Sequence, residues 1–153
     1  MPRSLARDRL LTLLDAAATR RVAVVGDAML DVYLRGEVER ISPEAPVPVV
    51  RVHDRRYALG GAGNVAQNVR AVGATCDLVA TIGDDFGGRQ ICAMLDAMHA
   101  NLGSLITVER PTTTKTRVVA RSQQVVRVDE EEDADLEGDE VHRLLFAVRN
   151  AVA

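Results

Sequence analysis

Two hydrophobic rhythms alternate along the chain. Residues 21–26 (Arg-Val-Ala-Val-Val-Gly) and 76–82 (Cys-Asp-Leu-Val-Ala-Thr-Ile) are short and nearly continuously apolar. Runs of that kind read as strands buried on both faces, as in a parallel sheet. Elsewhere apolar residues return at helical spacing. Leu10, Leu11, Leu13, Leu14, Ala17 and Ala18 give residues 4–19 a wide apolar face, with Ser4 placed to cap it and Arg20-Arg21 to close it. Val65, Val69 and Val72 mark a helix over 64–72 that Gly73 can end, and Ile91, Met94, Leu95 and Met98 mark another over 87–100. Val141, Leu144, Leu145 and Val148 form a last stripe, which nothing after it covers.

A third pattern lies between these. Residues 33–40 and 47–54 alternate loosely between apolar and polar around a bend at Pro43, Pro46 and Pro48, and residues 114–121 and 124–130 form a second such pair around Arg121-Ser122-Gln123. Half-exposed strands fit this alternation. With a further strand at 104–108, the order predicts an α/β protein: a parallel sheet flanked by helices, plus two polar strand pairs that form a small flap of their own.

Composition narrows the function. Aromatic residues make up 3% of the 153 residues, there is no Trp, and the net charge is −3. A nucleic-acid surface would need stacking rings and a basic face, so that class is excluded. No apolar run reaches the ~18 residues of a membrane helix, and Arg3, Arg7, Asp8, Arg9 and Asp15 make the N-terminus unlike a secretory signal, so a cytoplasmic protein is expected. Cys76 and Cys92 stand at apolar positions with no metal or redox spacing, and read as buried thiols. His53, His99 and His142 have no neighbours at ligand spacing, so no metal site is expected. The acidic run over 129–140 reads as a solvated loop feeding a helix start.

The chemistry concentrates at Gly60-Gly61-Ala62-Gly63-Asn64. Bare backbone N–H groups opening onto a helix N-terminus suit an anion or the hydroxyls of a sugar. The plainer alternative is a tight turn with Asn64 as N-cap. A sharper one is the dinucleotide fingerprint G-x-G-x-x-A, met by Gly61-Ala62-Gly63-Asn64-Val65-Ala66, although the charged stretch His53-Asp54-Arg55-Arg56 stands where a buried strand should lead into it. Lys115, Arg117, Arg121 and Arg127 alternate along the second strand pair, where residues two apart share a face. They could hold a phosphate, or simply guard an edge strand against aggregation.

Gly60, Gly61, the small Ala62, Gly63 at a free position, Asn64, the small Ala66, Gly73 and Gly83 fit the first signature of the PfkB (ribokinase-like) carbohydrate kinases, which ties these eight positions over 24 residues. Gly26–Asp31 (Gly-Asp-Ala-Met-Leu-Asp), residues 40–50, Thr114-Lys115-Thr116-Arg117-Val118 and residues 121–129 resemble the bacterial heptose-7-phosphate kinases. The likeness runs over about residues 22–132. It implies a ribokinase-like parallel sheet with a small β lid, the lid strands lying at about 33–54 and 114–130, and residues 1–153 as the N-terminal part of the kinase domain. It implies transfer of the γ-phosphoryl of ATP, with Mg²⁺, to C1 of D-glycero-D-manno-heptose 7-phosphate, and lids that pair two subunits. Residue by residue, it implies that Asp31, Gly60, Gly61 and Asn64 bind the sugar and that Lys115, Arg117, Gln124 and Arg127 belong to the same site. Asp31 could instead cap a turn. The resemblance also places the second signature, with its Gly-Ala-Gly-Asp, the nucleotide pocket and the catalytic base, beyond residue 153. Gly61-Ala62-Gly63-Asn64 looks like that motif but sits in the first signature. The expected function is therefore the sugar-binding half of a kinase, inactive alone. A non-catalytic sugar-phosphate-binding or dimerisation module and a dinucleotide-binding domain are the alternatives.

Overall fold

A computed structural model describes residues 6–101 and 104–153. Ser4, the expected cap of the first helix, lies outside them. Two sheets form. The first is parallel, in the order β1 (Arg21–Val25), β4 (Thr75–Gly83), β5 (Leu105–Val108). The second is four-stranded, in the order β3 (Pro48–Gly60), β2 (Ala28–Ile41), β6 (Thr114–Ala120), β7 (Gln123–Glu130). The two polar strand pairs are thus one sheet. Its outer pairings are antiparallel, and β2 and β6 join side by side in parallel.

The helices are α1 (Arg7–Ala18), α2 (Gly61–Ala71), α3 (Phe86–Ala97) and α4 (Gly138–Val152). β4 is the buried centre: Cys76, Leu78, Ala80 and Ile82 face a core shared with Ala66 of α2 and with Ile91 and Leu95 of α3. Val79 points the other way, into a second cluster with Ile106 and Val108 of β5 and Ala147 and Ala151 of α4. Helices therefore cover both faces of the parallel sheet. Ala28, Leu30, Val32 and Leu59 bring the base of the second sheet into the first core, and Leu30 is 0% exposed.

Five expectations need correction. β1 is covered on both faces only in part: Val24 packs toward the first core and Ala23 toward the second, but none of its residues is fully buried, Val25 is exposed, and the strand stands at the edge of the parallel sheet. The second helix begins at Gly61 with Gly60 as its N-cap, so Asn64 is inside the helix and not its cap. Its buried positions are Gly63 and Ala66, while Val65 and Val72 are exposed; small residues pack there because the helix lies close against Leu59. The last stripe is partly covered. Leu144 and Val148 pack with Ala147 and Ala151 on β4 and β5, which leaves Leu145 and Phe146 outside. The four leucines of α1 are all exposed, and that helix buries none of its residues.

Helix ends follow local chemistry. Gly73, at φ +88°, receives the chain as it leaves α2. His99 takes the same left-handed role after α3, with its N–H bonded to the Asp96 carbonyl and that of Ala100 to the Leu95 carbonyl. Cys76 is buried and Cys92 half-buried, both as free thiols, and burial pushes both above the ordinary cysteine value. Among the described residues no helix is long and apolar enough to cross a membrane.

Candidate functional site

Strand alternation builds the site. β2 sends Leu30 and Val32 into the core, so Asp31 and Tyr33 must face the other way. Register carries that face across the sheet. Ala58, Asp31, Lys115 and Asp129 lie in one row, and Arg56, Tyr33, Arg117 and Arg127 in the next.

The charges in these rows pair with one another. Arg117 Nη1 donates to Asp31 Oδ1 at 2.6 Å, and its guanidinium lies 5.3 Å from the centre of the Tyr33 ring. Lys115 Nζ donates to Glu131 Oε2 at 2.6 Å and to Asp129 Oδ2 at 3.2 Å, and Arg127 Nε lies 3.0 Å from Asp129 Oδ1. The Asp31 and Arg117 side chains are 18% and 23% exposed. Charges so far out of water need partners, and here they have them. The hydrogen bond to Asp31 raises the Arg117 guanidinium further, and those to Glu131 and Asp129 raise Lys115. Burial pushes Asp129 up, but the bonds from Lys115 and Arg127 outweigh it and hold its carboxyl low.

The glycine run meets this face at its edge. A Cβ on Gly60 would sit 2.7 Å from Met29 Cγ and 3.1 Å from Asp31 Oδ2, so only glycine lets the carboxylate lie over the backbone there. Gly61 is at φ +53°, where a side chain would collide with the Asp27 carbonyl oxygen. That same oxygen accepts from the Ala62 N–H at 2.9 Å, pinning the turn after β1 to the first turn of α2.

The structure therefore brings Asp31, Gly60, Lys115, Arg117 and Arg127 to one face, with Gly61 at its border. Asn64 stands exposed, one turn into α2. Gln124 pairs with Val119, four positions further along β6 than Lys115, near the tip of the hairpin and away from Asp31. A cleft of about 670 Å³ adjoins the face at the C-terminal ends of the parallel strands, lined by Asp27, Met29, Thr81, Arg110, Lys115 and the acidic loop 131–136. Sequence reasoning missed Arg110. It donates to the Ala134 carbonyl at 2.7 Å and to Thr81 Oγ1 at 3.3 Å, and lies 3.7 Å from Asp27 Oδ1. The available signal was its place just after β5, since open α/β sheets put ligands outside the carboxyl ends of their strands.

Chemically, the centre of the face, around Asp31 and Asp129, is a charge-balanced platform of three carboxylates and three cations. It offers acceptors and donors for several hydroxyls at once, and a phosphate could bind only by drawing a cation from its carboxylate. The dinucleotide fingerprint is set aside by topology. Its glycines follow β3, a strand of the second sheet, so the strand before α2 is no part of the parallel sheet that a βαβ unit requires.

A helix-flanked parallel sheet with a second sheet rising from its core defines a ribokinase-like α/β protein. Ribokinase from Thermotoga maritima matches it with a TM-score of 0.54 at 19% identity, over 72% of this chain and 36% of its own. The nucleoside kinase of Methanocaldococcus jannaschii, an archaeal member of the ribokinase family, matches with 0.55 at 20% identity, over 73% and 37%. Those identities show the fold alone. Residues 19–152 match the pfkB family carbohydrate kinases, and the chain belongs to that family. It is 46% identical over 145 residues to the bifunctional protein HldE of Rhodospirillum rubrum, and 52% identical over 124 residues to the D-beta-D-heptose 7-phosphate kinase of Bordetella bronchiseptica. These stretches are 94% and 79% of this chain but 29% and 40% of the relatives, so the chain spans less than half the length of the curated relatives it matches.

Proposed function

We propose that this chain is the sugar-binding part of a kinase domain whose acceptor is a heptose 7-phosphate, with the second sheet as its lid. The observation that carries the reading is the platform itself: Asp31 beside Gly60, with Arg117 and Lys115 on the same face, in a family of carbohydrate kinases. Asp31 takes neighbouring hydroxyls, the N–H groups at Gly60 and Gly61 close on the sugar, and Arg117 and Lys115 turn toward its phosphate. ATP and Mg²⁺ belong to the complete kinase, where they supply the transferred phosphoryl group and neutralise its charge. The test is calorimetric titration of the purified chain with heptose 7-phosphate and with heptose. The phosphorylated sugar should bind more tightly, by a margin that shrinks as salt rises. Asp31→Asn should weaken both. Failure of either sugar to bind overturns the reading.

The lid also supports a dimer. Ile41, Val52, Val126 and Val128 are exposed on its strands and Val47 in the bend between β2 and β3, more apolar surface than a lone sheet needs to leave wet. Sedimentation should show a homodimer that Val126→Asp weakens; a strict monomer at high micromolar concentration rules it out.

A further inference from the structure

The Asp85 carboxylate holds two segments far apart in sequence. Its Oδ1 accepts from the Gly88 N–H at 2.8 Å, as an N-cap of α3 should. Its Oδ2 accepts from the Thr112 N–H at 2.7 Å, 27 residues away. Thr112 returns the tie: its hydroxyl accepts from the Gly83 N–H at 2.8 Å, and it is only 4% exposed. Glycines make the closeness possible. A Cβ on Gly83 would sit 2.7 Å from the Arg110 carbonyl oxygen, one on Gly87 would sit 3.1 Å from Thr112 Cβ, and one on Gly88 would collide with the Gly83 carbonyl oxygen.

Thr112 lies in the connection between β5 and β6, where the chain leaves the parallel sheet for the second one. From the next residue the second sheet begins. The Thr113 carbonyl accepts from the Leu30 N–H at 2.9 Å, Thr114 pairs with Leu30, and Lys115 and Arg117 follow beside Asp31 and Tyr33. A helix cap would need only the bond to Gly88. The bond to Thr112 does something else.

We propose that Asp85 is a positioning residue for the sugar face: with Thr112 it clamps the β5–β6 connection to the end of β4 and the start of α3, and so sets where β6 presents Lys115 and Arg117 to Asp31. Its consequence for sugar binding rests on the function proposed above; the clamp itself does not.

The experiment is hydrogen exchange on the whole chain, read by segment, with calorimetry of heptose 7-phosphate beside it. Asp85→Ser keeps a capping oxygen for Gly88 but is too short to hold Thr112 as well. Thr112→Val removes the acceptor for Gly83, and Thr112→Ser keeps it. In Asp85→Ser and Thr112→Val, amides of β6 should exchange faster, on the order of tenfold, while those of α3 and of β4 before Gly83 keep their protection. Affinity for the sugar phosphate should fall with them, and Thr112→Ser should leave both as in the unaltered chain. Loss of protection spread equally over β4, α3 and β6 would reduce Asp85 to a general stabiliser and overturn the proposal. So would unchanged exchange in β6. If the unaltered chain binds no sugar phosphate, the functional reading falls, and exchange in β6 still decides whether the clamp exists.

Discussion

At the scale of single residues, the two carboxylates that matter most are held in different ways. Asp31 faces one guanidinium, with its second oxygen over Gly60. Asp85 is held by backbone N–H groups. Burial pushes its carboxyl up, but the bonds from Gly88 and Thr112 outweigh this and keep it below the usual aspartate value. A group depressed in the folded state stabilises fully above its unfolded value, and that contribution drains away as pH falls through the folded one. Unfolding by denaturant should therefore show stability dropping in the acid range below the ordinary aspartate value, with a flatter profile in Asp85→Asn. A profile identical in the two proteins would deny Asp85 that part. Asp31 was legible in the sequence from the motif around it, and Gly60 from the need for a bare backbone. Arg110 was not, because a lone arginine carries no spacing signal and its only cue was its place just after β5. Nor could the sequence show that Lys115, Arg117 and Arg127 are each matched by a carboxylate, since Glu131 and Asp129 looked like parts of a solvated acidic run.

At the scale of elements, periodicity found the helices and most strands but misjudged which were central. Val-rich β1 reads as a core strand, yet a sheet's order is not written in one strand's composition, and β4 is the one with two neighbours. The second helix looked as if it began at Asn64 because glycines disfavour helices. Gly61 and Gly63 are tolerated within it because β2, β3 and the turn at Asp27 press too close for side chains. The joining of two strand pairs into one sheet was also hidden, since it depends on a parallel contact between β2 and β6. Leu30 is the element-scale hinge of this design. It belongs to the second sheet but is fully buried in the core of the first. Leu30→Ala should cost about 2–5 kcal/mol, measured by denaturant unfolding. A cost near that of an exposed leucine such as Leu13 would mean the two sheets are not packed as one body.

At the scale of the whole molecule, the function proposed above makes the platform the acceptor side of a two-substrate reaction. Phosphoryl transfer needs donors around the γ-phosphate, a metal position and a base beside the attacking hydroxyl. The chain's one glycine-rich anion loop is committed to the acceptor side in the reading given above, and its sequence contains no Walker-type loop. The purified chain should therefore turn over no ATP with heptose 7-phosphate, whereas joining it to the remaining segment of the Bordetella relative should yield a kinase. Turnover by the 153-residue chain, abolished by Asp31→Asn, would place the chemistry within it.

The same topology bears on how the chain comes together in time. Arg21 pairs with Thr75, and Leu30 with Thr114, so two of the three parallel contacts, β1–β4 and β2–β6, close loops of 54 and 84 residues. The antiparallel pairs β2–β3 and β6–β7 close only short ones. Local hairpins form in microseconds, whereas long closures lose much more chain entropy before any contact repays it. The two hairpins should therefore arise early, with their valines in water, before β1 finds β4 and β2 finds β6. Refolding followed by stopped flow should be slow for the chain's size, and the hazard meanwhile is pairing between hairpins of different molecules.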